Sequence, residues 1–100
     1  MTTVNSLWID DLRTPPEGWV WAKTSDEAIA LIEANAMPFD FISFDHDLGG
    51  DDTSRKVVLW LCENAVKWPQ EAAVHSMNPI GREWLTGMIT RYGEGCRLRR

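Results

Sequence analysis

The chain has 100 residues, 44% of them hydrophobic, which suffices for one small core and leaves no room for a second domain, so a single domain spanning 1–100 is expected. Its formal charge of −5 opposes wrapping of long duplex nucleic acid, because such affinity comes from Lys and Arg displacing counterions. The absence of a long apolar run or a charged-then-apolar leader argues against membrane attachment and export, and a cytoplasmic location is expected.

Ser6-Leu7-Trp8-Ile9-Asp10 predicts a buried strand, apolar through its centre and stopped by the acidic pair Asp10-Asp11. Thr14-Pro15-Pro16-Glu17-Gly18 must be a loop, and Trp19 to Lys23 reads as a second, shorter strand. Thr24-Ser25-Asp26-Glu27 has the capping-box form, so a helix should start there, burying Ala28, Leu31, Ile32 and Ala36 before Pro38 stops it. Phe39 to Phe44 is the third strand. The acidic loop Asp45-His46-Asp47-Leu48-Gly49-Gly50-Asp51-Asp52 follows, its glycine pair read as a turn.

The spacing of Val57, Val58, Leu61, Ala65 and Trp68 predicts a helix over Thr53 to Trp68, with Pro69 as terminator and Asp51-Asp52 as favourable charge at its start. Ala72 to Ser76 is the fourth strand. Asn78 is placed to cap the last helix and Pro79 fits its first position; Ile80, Trp84, Leu85, Met88 and Ile89 share a face, and Gly93 ends it. The tail Arg97-Leu98-Arg99-Arg100 reads as a solvated basic end. Cys62 and Cys96 have no short spacing and read as free thiols in a reducing compartment. Six tryptophans exceed what so small a core easily hides, so one or two are expected on a partner or ligand face.

Strands alternating with helices predict a parallel sheet with right-handed crossovers, and helices are expected on both faces. The first, third and fourth strands then deliver Asp10, Asp11, Asp45, His46, Asp47, His75, Ser76 and Asn78 to one carboxyl edge, where open α/β sheets bind ligands. Carboxylates gathered there repel one another and call for a cation or a shared proton. A hard divalent ion such as Mg²⁺ or Mn²⁺ on Asp10, Asp11, Asp45 and Asp47 answers that need and suits phosphate. Imidazole adds a general acid or base near neutral pH. The plainer alternatives are a hydrogen-bonded structural role for each histidine, an Asp-His-Asp that fixes its loop, and an Arg13 that pairs with the aspartates beside it.

Ile9-Asp10-Asp11, Asp40-Phe41-Ile42-Ser43-Phe44-Asp45 and a small hydroxyl residue near the fourth strand's end resemble a response-regulator receiver domain. The resemblance implies a flavodoxin-like three-layer sandwich with sheet order 2-1-3-4, and magnesium on Asp10, Asp11 and Asp45. The chain departs from receivers in two ways: a loop replaces the first crossover helix, and no lysine ends a full fifth strand. Ile9-Asp10-Asp11-Leu12-Arg13 with Pro15-Pro16, then Phe44-Asp45-His46-Asp47-Leu48-Gly49 and His75-Ser76-Met77-Asn78-Pro79-Ile80-Gly81, resemble the cyclic-phosphate-processing receiver family.

That resemblance implies His46 and His75 flanking a bound phosphate as catalytic groups, with Arg13, Ser76 and Asn78 binding the substrate. The expected activity is a metal-dependent cyclic phosphodiesterase or phosphoesterase acting on cyclic or terminal phosphates of RNA ends or nucleotides. The rival expectation is a non-catalytic module that binds a protein partner through exposed tryptophan on a degenerate receiver scaffold.

Overall fold

The computed structural model describes residues 5–99. Strands β1 (Ser6–Ile9), β2 (Val20–Ala22), β3 (Phe41–Phe44), β4 (Glu71–Val74) and β5 (Arg97–Leu98) form one sheet in the order β2-β1-β3-β4-β5. Every pairing is parallel, so the expected receiver-like α/β order is the observed one. Helices α1 (Ser25–Ala34), α2 (Arg55–Glu63) and α3 (Pro79–Tyr92) connect the strands from β2 onward.

The three helical crossovers all step across the sheet in the same direction. Right-handed connections therefore place all three helices on one face, and α1 packs on α2 and α2 on α3 accordingly. Strand alternation then divides the residues cleanly. Leu7, Ile9, Ala22, Ile42, Phe44 and Ala72 point toward the helices and are completely buried among Ile32, Val57, Leu61, Leu85 and Ile89. Ser6, Trp8, Trp21, Phe41, Ser43 and Ala73 occupy the alternate positions and face the other way.

The connection from β1 to β2 steps in the opposite direction and crosses that second face without a helix. Helices on both faces were expected; the structure instead builds its third layer from side chains and a loop. Trp19 lies edge-on to Trp8, with ring centres 5.8 Å apart, and 5.2 Å from Phe41. The indoles of Trp8 and Trp21 donate to the carbonyls of Arg13 and Asp10 at 2.8 and 2.7 Å, which ties the loop down. Trp68 is buried and the other tryptophans are half-buried, so none stands fully out in solvent.

Three further expectations are corrected. The helix predicted over Thr53 to Trp68 ends at Glu63, because Asn64 leaves helical geometry and turns its side-chain amide back onto the Trp60 carbonyl; a single 3₁₀ turn, Ala65–Lys67, follows. Asp52 does not charge the start of α2; it accepts from the Ser25 backbone N–H at 2.8 Å and so anchors α1. The tail is not simply solvated: Arg97–Leu98 pairs with Glu71–Ala72, and both Arg97 and Arg99 contact the Glu71 carboxylate. The capping predictions hold, with Thr24 accepting from Glu27 N–H and Asn78 from Gly81 N–H. No helix among the described residues is long and apolar enough to cross a membrane.

Candidate metal and phosphate site

β1 and β3 are neighbours, and each ends in carboxylates at the same edge. Asp10 immediately follows β1 and is 1% exposed. Its Oδ1 accepts from the backbone N–H groups of Leu12 and Arg13, each at 2.8 Å, which folds the chain into a tight turn. This turn projects Asp11. Asp45 follows β3 and is fixed by its backbone: its N–H donates to the Ile9 carbonyl, and its own carbonyl accepts from the Ser54 hydroxyl. One oxygen from each of Asp10, Asp11 and Asp45 lies within 4.8 Å of the others.

The charges respond to their surroundings. Burial alone would push the Asp10 carboxyl up, but the N–H groups of Arg13 and Leu12, helped by His75, outweigh it and hold the group below its ordinary value. Asp45 goes the other way, raised by burial and by repulsion from Asp10. Two close carboxylates thus carry a penalty that a cation would remove. The donor set fits a hard divalent ion: three carboxylate oxygens, as magnesium or manganese prefers, gathered within a span comparable to an octahedral ion with ligands at about 2.1 Å.

Asp11, Arg13, Asp45, Asp47, Ser76 and Asn78 line a cleft of about 400 Å³ beside this cluster, with Gly49 and Gly50 along its wall. The glycine pair is a turn, as expected: the Asp52 N–H donates to the Gly49 carbonyl at 3.0 Å, and both glycines have positive φ. Arg13 does not pair with the aspartates; its guanidinium donates to the His75 carbonyl at 3.0 Å. Ser76 is buried and accepts from Asn78 N–H. Asn78 is committed at both ends of its amide, capping α3 and donating to Asp47 at 3.2 Å. Asp47 was expected among the metal ligands, but it stands outside the trio; its carboxylate is held by His46 and Asn78, His46 chiefly lowering its pKa.

The histidines, expected to face a common phosphate, occupy different environments and neither lines the cleft. His46 is 5% exposed, with Nδ1 3.0 Å from Asp47 and Nε2 accepting from the Arg55 guanidinium at 2.8 Å. Its ring lies against Gly81 of α3, where a Cβ would come within 2.3 Å of the imidazole. The loop-fixing alternative describes this residue. His75 lies on the helix-free side, stacked on Trp8 with ring centres 4.0 Å apart. Its Nε2 meets Asp10 Oδ2 at 3.0 Å and its Nδ1 meets Ser43 Oγ at 2.7 Å. Burial lowers the His75 pKa despite the neighbouring Asp10; the carboxylate can only accept, so Nε2–H donates to Asp10, and Nδ1 faces the Ser43 hydroxyl.

The sequence reading missed Ser43, Trp8 and Arg55 as site-related residues. Ser43 carried a signal, being the one hydroxyl inside the aromatic strand Phe41-Ile42-Ser43-Phe44. Neither the curated proteins nor the solved structures contain a match to the chain. A family model described as Cyclic-phosphate processing Receiver domain matches residues 5–91, which takes in both acidic strand ends, both histidines and all of α3 but its last residue. A parallel sheet in receiver order, carrying the trio Asp10, Asp11 and Asp45 at its carboxyl edge, agrees with that match: the chain belongs to the cyclic-phosphate processing receiver domain family.

Proposed function

We propose that this domain binds Mg²⁺ or Mn²⁺ through Asp10, Asp11 and Asp45, seats a phosphate group in the adjoining cleft, and processes cyclic or terminal phosphates of nucleotides or RNA ends. The observation that carries the reading is the convergence of three carboxylates from two adjacent strands on one point beside a polar cleft. A bound ion would polarise the phosphoryl oxygens. Arg13, which lines the cleft and uses its guanidinium on one backbone carbonyl, retains N–H groups for a phosphate oxygen. Ser76 and Asn78 line the same cleft. With all four imidazole nitrogens engaged, the two-histidine acid and base scheme is not part of the proposal. Free thiols at Cys62 and Cys96 suit the cytoplasmic setting we propose.

The test combines binding and turnover. Millimolar Mg²⁺ or Mn²⁺ should raise the melting temperature by mass action. A 2′,3′-cyclic nucleotide or cyclic-ended RNA should then be turned over only with the metal, and Asp45→Asn should abolish both effects. An unchanged melting temperature together with no metal-dependent turnover across a panel of cyclic and linear phosphate esters would refute the reading.

A second reading has its own observation. The outer side of α3 forms a groove of about 910 Å³ lined by Ile80, Trp84, Met88 and Arg91, with Ile80 exposed and Arg55 over the Trp84 ring. A protein partner seated there would make the domain an interaction module. Ile80→Asp should then abolish partner binding while leaving metal binding intact.

A further inference from the structure

His75 is bonded to the metal-cluster residue Asp10 yet does not line the cleft, and this arrangement needs an explanation that an acid or base role does not give. An ionised carboxylate offers about four accepting positions. Asp10 fills two on Oδ1 with the Leu12 and Arg13 N–H groups and one on Oδ2 with His75, which leaves a single position, on Oδ2, for an ion. A carboxylate held by three donors has no freedom to rotate away from that geometry.

The imidazole is held with equal care. Ser43 lies opposite Trp8 in the register of β1 and β3, so both residues point to the helix-free face. Ser43 is 4% exposed and its hydroxyl meets His75 Nδ1, so that with Asp10 at Nε2 the ring is anchored through both nitrogens, while Trp8 lies nearly parallel to the ring, at 8°, and fixes its plane. A hydroxyl, an imidazole and a carboxylate thus run in series from the middle of the sheet to its edge. Metal sites use such outer partners to orient their ligands.

We propose that His75 is a positioning residue: held by Ser43 and Trp8, it aims the Asp10 carboxylate for a divalent cation and does not itself touch substrate. The proposal rests on the ion-centred reading above. It explains why a buried polar chain crosses a sheet face covered mainly by aromatic rings, and it gives the buried hydroxyl of Ser43, inside β3, a task at the sheet edge.

Titration of the apo protein with Mn²⁺ alone, by calorimetry or by the loss of the free-ion paramagnetic resonance signal, tests it. His75→Leu should weaken Mn²⁺ binding by about tenfold or more, the usual cost of losing an outer partner. His75→Gln, whose amide N–H can replace Nε2–H, should recover most of that loss. Nitrogen-detected NMR should show His75 in the Nε2–H form, the one that donates to Asp10. Unchanged Mn²⁺ affinity in a folded His75→Leu overturns the proposal and leaves the ion-centred reading standing. An Nδ1–H wild-type ring also overturns the proposal. No saturable Mn²⁺ binding by the wild type overturns both.

Discussion

The two faces of the sheet solve the same burial problem by different means. Toward the helices, Leu7, Ile9, Ile42 and Phe44 are sealed by aliphatic side chains from all three helices, and no polar side chain of the strands points there. Toward the loop, Trp19 lies edge-on to Trp8 and tilted against Phe41, with Lys23 over Trp21 and Arg99 over Phe41. Parallel sheets normally bury both faces. Large amphipathic rings and the stems of cationic side chains achieve a partial cover without a helix, and their indole N–H groups satisfy loop carbonyls in the same stroke. The difference teaches a division of labour: stability resides mainly on the helical face, while the thinner face leaves room for the polar chain from Ser43 through His75 to Asp10.

The sharpest way to break that comparison is to truncate one phenylalanine on each face of β3. Phe44→Ala, which empties a fully buried site, should cost about 3–5 kcal/mol in urea unfolding. Phe41→Ala, half-buried under Trp19 and Arg99, should cost about 1–2 kcal/mol. Equal losses would show that the aromatic layer is a second core of full strength.

A smaller effect separates the two histidines. Gly81→Ala places a Cβ 2.3 Å from the His46 ring and should destabilise the fold by about 1–3 kcal/mol, with much of the loss recovered when His46→Ala is added. No such recovery should follow His75→Ala, because that ring lies on the other side of the sheet. Strictly additive losses at residues 46 and 81 would contradict the packing role assigned to His46.

The smallest effect concerns charge at the sheet edge. The Asp45 pKa is raised in the fold by burial and by Asp10, so its favourable contribution is complete below the ordinary carboxylate value and is lost as pH rises through the folded value. At pH 7 without divalent ions, Asp45→Asn should therefore raise the melting temperature by about 2–6 °C. That advantage should vanish below roughly pH 4, where the wild-type carboxyl is also protonated. Thermal melts across that range check it, and a destabilised Asp45→Asn at pH 7 would show that the carboxylate has a favourable partner in the fold.

Much of this architecture follows from local signals. The hydroxyl and amide caps of α1 and α3, the alternation of short apolar runs with helical periods, and the acidic stops after β1 and β3 depend on residues only a few positions apart, whereas the sheet order was implied by the resemblance to receiver domains. Even the one-sided placement of the helices was within reach: once the β1 to β2 connection is read as a loop, every helical crossover steps the same way and right-handedness does the rest. The lapse at Asn64 is of another kind, since a side chain bonding back onto the helix overrode an apolar period that continued to Trp68.

The chemistry of the edge was legible as a gathering of residue types and no further. Asp10, Asp11 and Asp45 meet because strands that end in acids lie side by side, a consequence of sheet order alone. The partners of each imidazole were beyond any local pattern: His75 reaches Asp10 across 65 positions and Ser43 across 32, while His46 turns to Arg55 under α3. Those choices depend on strand register, on which way a side chain leaves the last residue of a strand, and on how closely Gly81 lets a helix approach. Sequence determined which groups arrive at the edge; only the packed structure decided that one histidine braces the core and the other braces Asp10.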